Sequence, residues 1–147
     1  MALTGPLRGA SRLALGTSLF IYLVERLATF FPRVEPIFRE LDAGSVRGVA
    51  SVLALLEVLV RPIEAGATAL VDEFRNAVSS APNLELIVVD ASVSELAASI
   101  RATHRFRTPD AIHLATALHA KADAFVTNDV RLASFTGLPV VTLDLLA

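Results

Sequence analysis

The sequence contains no cysteine, so disulfides and thiolate metal sites are excluded, and a hard-metal site would have to be built from carboxylates. Charge is also sparse: 19% of the 147 residues are charged and the formal net charge is −2. That balance supplies no strong field for nucleic acid, so phosphate binding would need placed arginines or metal ions. No run reaches the roughly 18 uninterrupted apolar residues of a membrane span. The longest candidate, residues 49–60, is broken by Ser51 and Glu57. Arg8 and Arg12 precede the apolar run 13–24 as in a signal peptide, but a good small-residue cleavage site is missing and Glu25-Arg26 follows at once. Internal repeats and a dividing linker are lacking too. The expectation is one soluble, cytoplasmic domain over 1–147, with 1–11 a loose N-terminal leader.

What is present is mostly apolar. At 54% hydrophobic residues the chain can bury a real core, and with so little charge an exposed apolar patch for a partner or a second copy is expected. Short apolar runs at 13–15, 46–50, 84–89, 124–126 and 140–143 read as strands. Between them lie helical patterns: 17–30, 33–43, 52–60, 64–79, a stretch from Ser92 to about His104, 110–120 and a short one at 130–135. Thr17 or Ser18 is the expected cap of the first helix, Ser92-x-x-Glu95 forms a capping box, and Thr108 caps a helix with Pro109 at its first position. The 52–60 helix is apolar almost all round, which predicts burial, with Arg61-Pro62 closing it. Strands alternating with helices argue for an α/β fold: a three-layer α/β/α sandwich with a central, mainly parallel sheet of four to five strands.

Three acids stand out. Glu57 is the lone charge in an otherwise nearly apolar helix; buried and unpaired it would cost several kcal/mol, so it needs a cation or strong donor. A salt bridge to Arg61 would serve, and so would a metal. Asp110 opens a helix, where the macrodipole favours an acid, or is a ligand. His113, one turn on, could orient a phosphate or carboxylate or be a structural histidine. Asp129 follows the 124–126 strand directly and is either a helix cap or a ligand. In a parallel sheet, ligands bind outside the carboxyl ends of the strands, and all three acids could reach that edge. Such oxygen-only clusters suit Mg²⁺ or Mn²⁺ and phosphoryl chemistry. Arg101, His104, Arg105 and Arg107 form a basic cluster leading into Asp110, a solvated helix end or a steering patch for RNA phosphates.

The segments Thr108–Ala117 (TPDAIHLATA), Ala124–Asp129 (AFVTND) and 51–61 (SVLALLEVLVR) together resemble the PIN-domain family, and within it the VapC-type toxin ribonucleases, over 13–143. The resemblance implies an α/β/α fold, cleavage of single-stranded RNA with Mg²⁺ or Mn²⁺, a homodimer and a cognate antitoxin. It makes Glu57, Asp110 and Asp129 catalytic metal ligands, with Thr17, Ser18, Thr127 and Asn128 supporting them and Arg105 and Arg107 on RNA. One position departs: the family usually carries aspartate where this chain has Gly16, in Gly-Thr-Ser. The implied activity is therefore weak or absent as written, and the alternative is a non-catalytic PIN-fold module that binds an antitoxin or RNA.

Overall fold

Leu13, Ala14 and Leu15 point alternately to opposite faces of a sheet, and the two hydrophobic cores divide on that alternation. The computed structural model describes residues 3–146. Five strands, β1 (Arg12–Leu15), β2 (Arg47–Ser51), β3 (Leu84–Ile87), β4 (Ala124–Thr127) and β5 (Val140–Thr142), form one sheet in the order β3-β2-β1-β4-β5, every pair parallel. One face, with Leu13, Leu15, Ala50 and Val126, packs on α1 (Thr17–Glu25), α2 (Phe31–Ala43), α3 (Leu53–Glu64) and α4 (Thr68–Ser79). The other, with Ala14, Val49 and Phe125, packs on α5 (Ala91–His104) and α6 (Thr108–His119). This is the expected α/β/α sandwich, with five strands and all of them parallel.

The strand order makes the β1/β4 seam a switch point: successive strands run outward from β1 on one side and from β4 on the other. The carboxyl ends at such a switch point are where a parallel sheet leaves a crevice. At the opposite end Asp123 fixes the seam, its Oδ2 accepting from Ser11 N at 2.8 Å, Arg12 N at 2.9 Å and Ser11 Oγ at 3.0 Å. Gly48 in β2 has a steric reason, since a Cβ there would lie 2.8 Å from Leu84 Cδ1 and 2.9 Å from Leu41 Cδ2.

Several local expectations are corrected. Of the leader, Met1 and Ala2 lie outside the described residues, but Gly5–Leu7 form a 3₁₀ turn and Leu7 is buried in the core, so this part is not loose. Helix α1 stops at Glu25, with Arg26 left-handed, and does not run on to Phe30. Gly16 is its N-cap and has no side chain to bond with; Thr17 and Ser18, the expected caps, lie inside the helix, and the Thr17 hydroxyl donates to Glu57. Pro62 does not close α3; its carbonyl accepts from Ala67 N at 2.9 Å and the turn continues around it. The helix expected from 64 accordingly starts at Thr68. Nor is α3 buried all round: Leu56, Val60 and Ile63 are exposed. Strand β3 ends at Ile87, an edge strand with Val88 exposed. The Ser92–Glu95 box does not form, since Asp90, an equally good acceptor placed earlier, takes Val93 N at 2.9 Å. Thr108 is the first residue of α6 and not its cap; its hydroxyl accepts from Arg101 at 2.9 Å. Among the described residues no helix is long and apolar enough to cross a membrane.

Candidate functional site

Gly16 ends β1 and donates its N–H to Val126 O at 2.9 Å, which places it on the seam beside the end of β4. Its φ of −73° is open to any residue, so turn geometry does not require glycine here. Space does constrain it. A Cβ would stand 3.2 Å from Val126 O, 3.3 Å from the tip of the Phe125 ring and 3.5 Å from Thr127 Oγ1.

Two groups of polar side chains flank this point. On the α3 side, Thr17 Oγ1 donates to Glu57 Oε1 at 2.6 Å, and His113 Nε2 lies 2.7 Å from the same oxygen. An ionised carboxylate only accepts, so the ring carries its proton on Nε2. Nδ1 is buried with no partner among the described residues. Burial is the largest single influence on Glu57 and pushes its pKa up. The hydrogen bonds from His113 and Thr17, with the charge of His113, outweigh it and hold the carboxyl below its ordinary 4.5. Of the alternatives for Glu57, a bridge to Arg61 gives way to a histidine and a hydroxyl from two other elements.

On the β4 side, Asp129 caps the 3₁₀ turn Val130–Ser134, its Oδ1 accepting from Arg131 N at 3.0 Å and from Arg131 Nε at 3.0 Å. Its Oδ2 takes the Arg131 terminal nitrogen. That same nitrogen lies 3.7 Å from Asp110 Oδ2, as does Arg107 Nε. The Arg131 hydrogen bond, more than any other influence, holds Asp129 below its ordinary 3.8, against burial and with help from the charges of Arg131 and Arg107. Thr127 Oγ1 accepts from Asp129 N at 3.1 Å, and Asn128 Nδ2 donates to Tyr22 Oη at 2.7 Å. Ser18, Tyr22, Thr127, Asn128, Asp129 and Arg131 surround a shallow depression of about 480 Å³.

The sequence matches the PIN domain family over residues 14–138. The chain belongs to that family. No curated protein matches it. Among solved structures, a toxin–antitoxin complex from Klebsiella pneumoniae is similar at 22% identity and a TM-score of 0.67, covering 89% of this chain and 97% of that one. VapBC2 from Rickettsia felis, bound to a promoter DNA fragment, is similar at 16% identity and a TM-score of 0.65, over 89% of this chain and 98% of that one. VapBC-5 from Mycobacterium tuberculosis gives 19% and 0.60, over 90% and 98%. Likeness at these identities carries the fold.

PIN nucleases generally use divalent metal ions, and the acids of this PIN domain can be judged against that use. The expected three lie along one edge but in two separate groups: Glu57 with His113 and Thr17, Asp110 and Asp129 with Arg131. Among the described residues no three His, Cys, Asp or Glu side chains stand together as a metal site. A divalent ion needs several oxygens at about 2.1 Å, and here the Arg131 guanidinium is forked onto both oxygens of Asp129 and lies 3.7 Å from Asp110, while position 16 offers none. The donor set does not fit the ion as it stands.

Of the supporting residues, Thr17 holds Glu57 and Thr127 holds the Asp129 backbone, whereas Asn128 is spent on Tyr22 and Ser18 only lines the depression. Arg105 and Arg107 are exposed; Arg101 instead closes the α5–α6 turn, its Nε donating to Phe106 O at 3.0 Å, and His104 stacks on Phe106. Arg131 is the residue that sequence reasoning missed. Its signal was a cation two positions after an aspartate that caps a turn, close enough to close a fork locally.

Proposed function

We propose that this PIN domain, one domain over 1–147, is a VapC-type toxin endoribonuclease, weak or inactive as written. In full form its site would cut single-stranded RNA with Mg²⁺ or Mn²⁺, in the cytoplasm, under the control of a cognate antitoxin. The observation that carries this reading is the chain of contacts along one sheet edge. It runs from Glu57 to Thr17 and its neighbour Gly16, across the Gly16–Val126 backbone bond to Thr127 and Asp129, and by Arg131 to Asp110. Glu57, Asp110 and Asp129 stand where the resemblance puts the family's ligands, and the edge lacks the carboxylate at its centre that would complete such a set. The antitoxin is supported by the similarity to toxin–antitoxin complexes. A homodimer is supported by the exposed apolar row Leu56, Val60 and Ile63 on α3.

One observation favours the second reading, a non-catalytic module that binds antitoxin or RNA: Arg131 together with Arg107 already balances the charge of the Asp110–Asp129 pair. Cleavage of single-stranded RNA by the unaltered chain and by Gly16→Asp, in Mg²⁺ and in Mn²⁺, separates the two. The nuclease reading expects little or no cutting by the first, clear cutting by the second, and loss of cutting on adding Asp110→Asn. No cutting by either folded protein, with RNA or antitoxin still bound, sinks it in favour of the module.

A further inference from the structure

Asp110 and Asp129 come from different elements, the first turn of α6 and the end of β4, and Arg131 is their common partner. Its guanidinium is forked onto Asp129 through Nε and a terminal nitrogen, and that nitrogen also faces Asp110 Oδ2 at 3.7 Å. The fork closes over two residues of chain, with the Arg131 backbone N–H on the same carboxylate at 3.0 Å, so little chain entropy is lost in forming it. The Asp110 side chain is only 17% exposed while that of Arg131 is 57% exposed. The cation is therefore the solvent-side partner of Asp110.

We infer that Arg131 is a built-in counter-ion latch: it takes the cation's place between Asp110 and Asp129, joins the ends of β4 and α6 without a metal ion, and must swing out before a divalent ion can use the pair. The two states exclude one another. A metal ion needs the carboxylate oxygens at about 2.1 Å, and a guanidinium left on the same oxygens would be a like charge in contact with it. Planar and always charged, arginine matches the Asp129 carboxylate in two bonds, which a lysine cannot reproduce. The exposure of Arg131 gives the released side chain somewhere to go. Gly16 and Arg131 are thus separate obstacles to metal binding, one a missing ligand and the other a competing cation. The inference goes beyond the nuclease reading, since it concerns which cation the pair holds and not whether RNA is cut.

Calorimetric titration with Mn²⁺ and thermal unfolding with and without Mn²⁺ test it on the unaltered chain, Arg131→Gln and Arg131→Lys. Arg131→Gln is expected to bind Mn²⁺ about tenfold or more tightly than the unaltered chain, because the two carboxylates then keep only the longer contact of Arg107 to Asp110, at 3.7 Å, to balance their charge. It should also melt lower without metal and recover on adding it, whereas the unaltered chain responds weakly. Arg131→Lys should fall between. Equal Mn²⁺ affinity in the unaltered chain and Arg131→Gln would overturn the latch and leave the nuclease reading standing. Should Arg131→Gln not fold, the Arg131 Nε–H resonance of the unaltered chain decides: slow exchange, lost in Asp129→Asn, supports the latch, and exchange as fast as in a free side chain overturns it.

Discussion

His113 Nε2 and Thr17 Oγ1 both meet Glu57 at a single oxygen, Oε1, at 2.7 and 2.6 Å, so one carboxylate joins α6, α1 and α3 beneath the candidate site. The Thr17 hydroxyl and His113 Nε2 are themselves 3.3 Å apart, which closes a triangle of polar atoms under the seam.

This triangle sets an acid limit on stability. The Glu57 carboxyl titrates below its ordinary 4.5 in the folded chain, so its stabilising contribution is complete above the unfolded value and is lost as pH falls through the lower, folded one. Denaturant unfolding followed by circular dichroism, from neutral pH downward, should show Glu57→Gln with a flatter acid limb than the unaltered chain. Glu57→Ala should cost about 1–3 kcal/mol at neutral pH, since it strands the buried His113 ring. An unchanged acid limb in Glu57→Gln would refute the pairing.

Gly16→Ala tests the crowding of the seam without adding a charge. The new methyl would press on the Val126 carbonyl at 3.2 Å and the buried Phe125 ring at 3.3 Å. With φ already suited to alanine, the backbone gains about 0.4–1 kcal/mol, and overpacking outweighs this for a net loss of about 1 kcal/mol. A higher melting temperature for Gly16→Ala would show that the seam yields freely.

Arg107 is exposed and its ion pair with Asp110, at 3.7 Å, is long. Arg107→Ala should therefore leave the melting temperature nearly unchanged. In binding assays with single-stranded RNA over a range of salt, it should weaken affinity and reduce the log–log salt slope by about 0.7. An unchanged slope would remove Arg107 from the RNA contact.

The α3 row gives a test of self-association. Leu56, Val60 and Ile63 are 60%, 46% and 59% exposed on one helix face, where a glutamate costs the isolated fold little. Sedimentation equilibrium should find the unaltered chain dimeric and Leu56→Glu with Ile63→Glu monomeric, with matching circular dichroism. A dimer that survives both changes lies elsewhere.

Much of the architecture was legible because strand and helix periods are local. The run 13–15 bounded by Gly16, and Thr108-Pro109-Asp110 opening a helix, carry their structure in neighbouring residues. Expectations failed where a partner outside the local capping pattern competed: Thr17 reads as a cap, but its hydroxyl is taken by Glu57, 40 residues on, and Thr108 is taken by Arg101, 7 residues back. The 52–60 helix reads as buried on composition alone, yet only one of its faces meets the sheet layer.

By itself the sequence determined the alternation of strands and helices, the isolated charge of Glu57, the resemblance carried by 108–117 and 124–129, and the lack of a carboxylate at position 16. Only the tertiary structure decided how the acids pair. Glu57 meets Thr17 and His113 across 40 and 56 residues of chain, and the strand order that brings β1 beside β4 brings Gly16 to Thr127. Partner choice at such separations depends on which elements the buried faces bring together, and a local pattern does not record that. Arg131 is the opposite case: only two residues from Asp129, it gains its significance because α6 delivers Asp110 to within 3.7 Å of the guanidinium nitrogen that bonds Asp129.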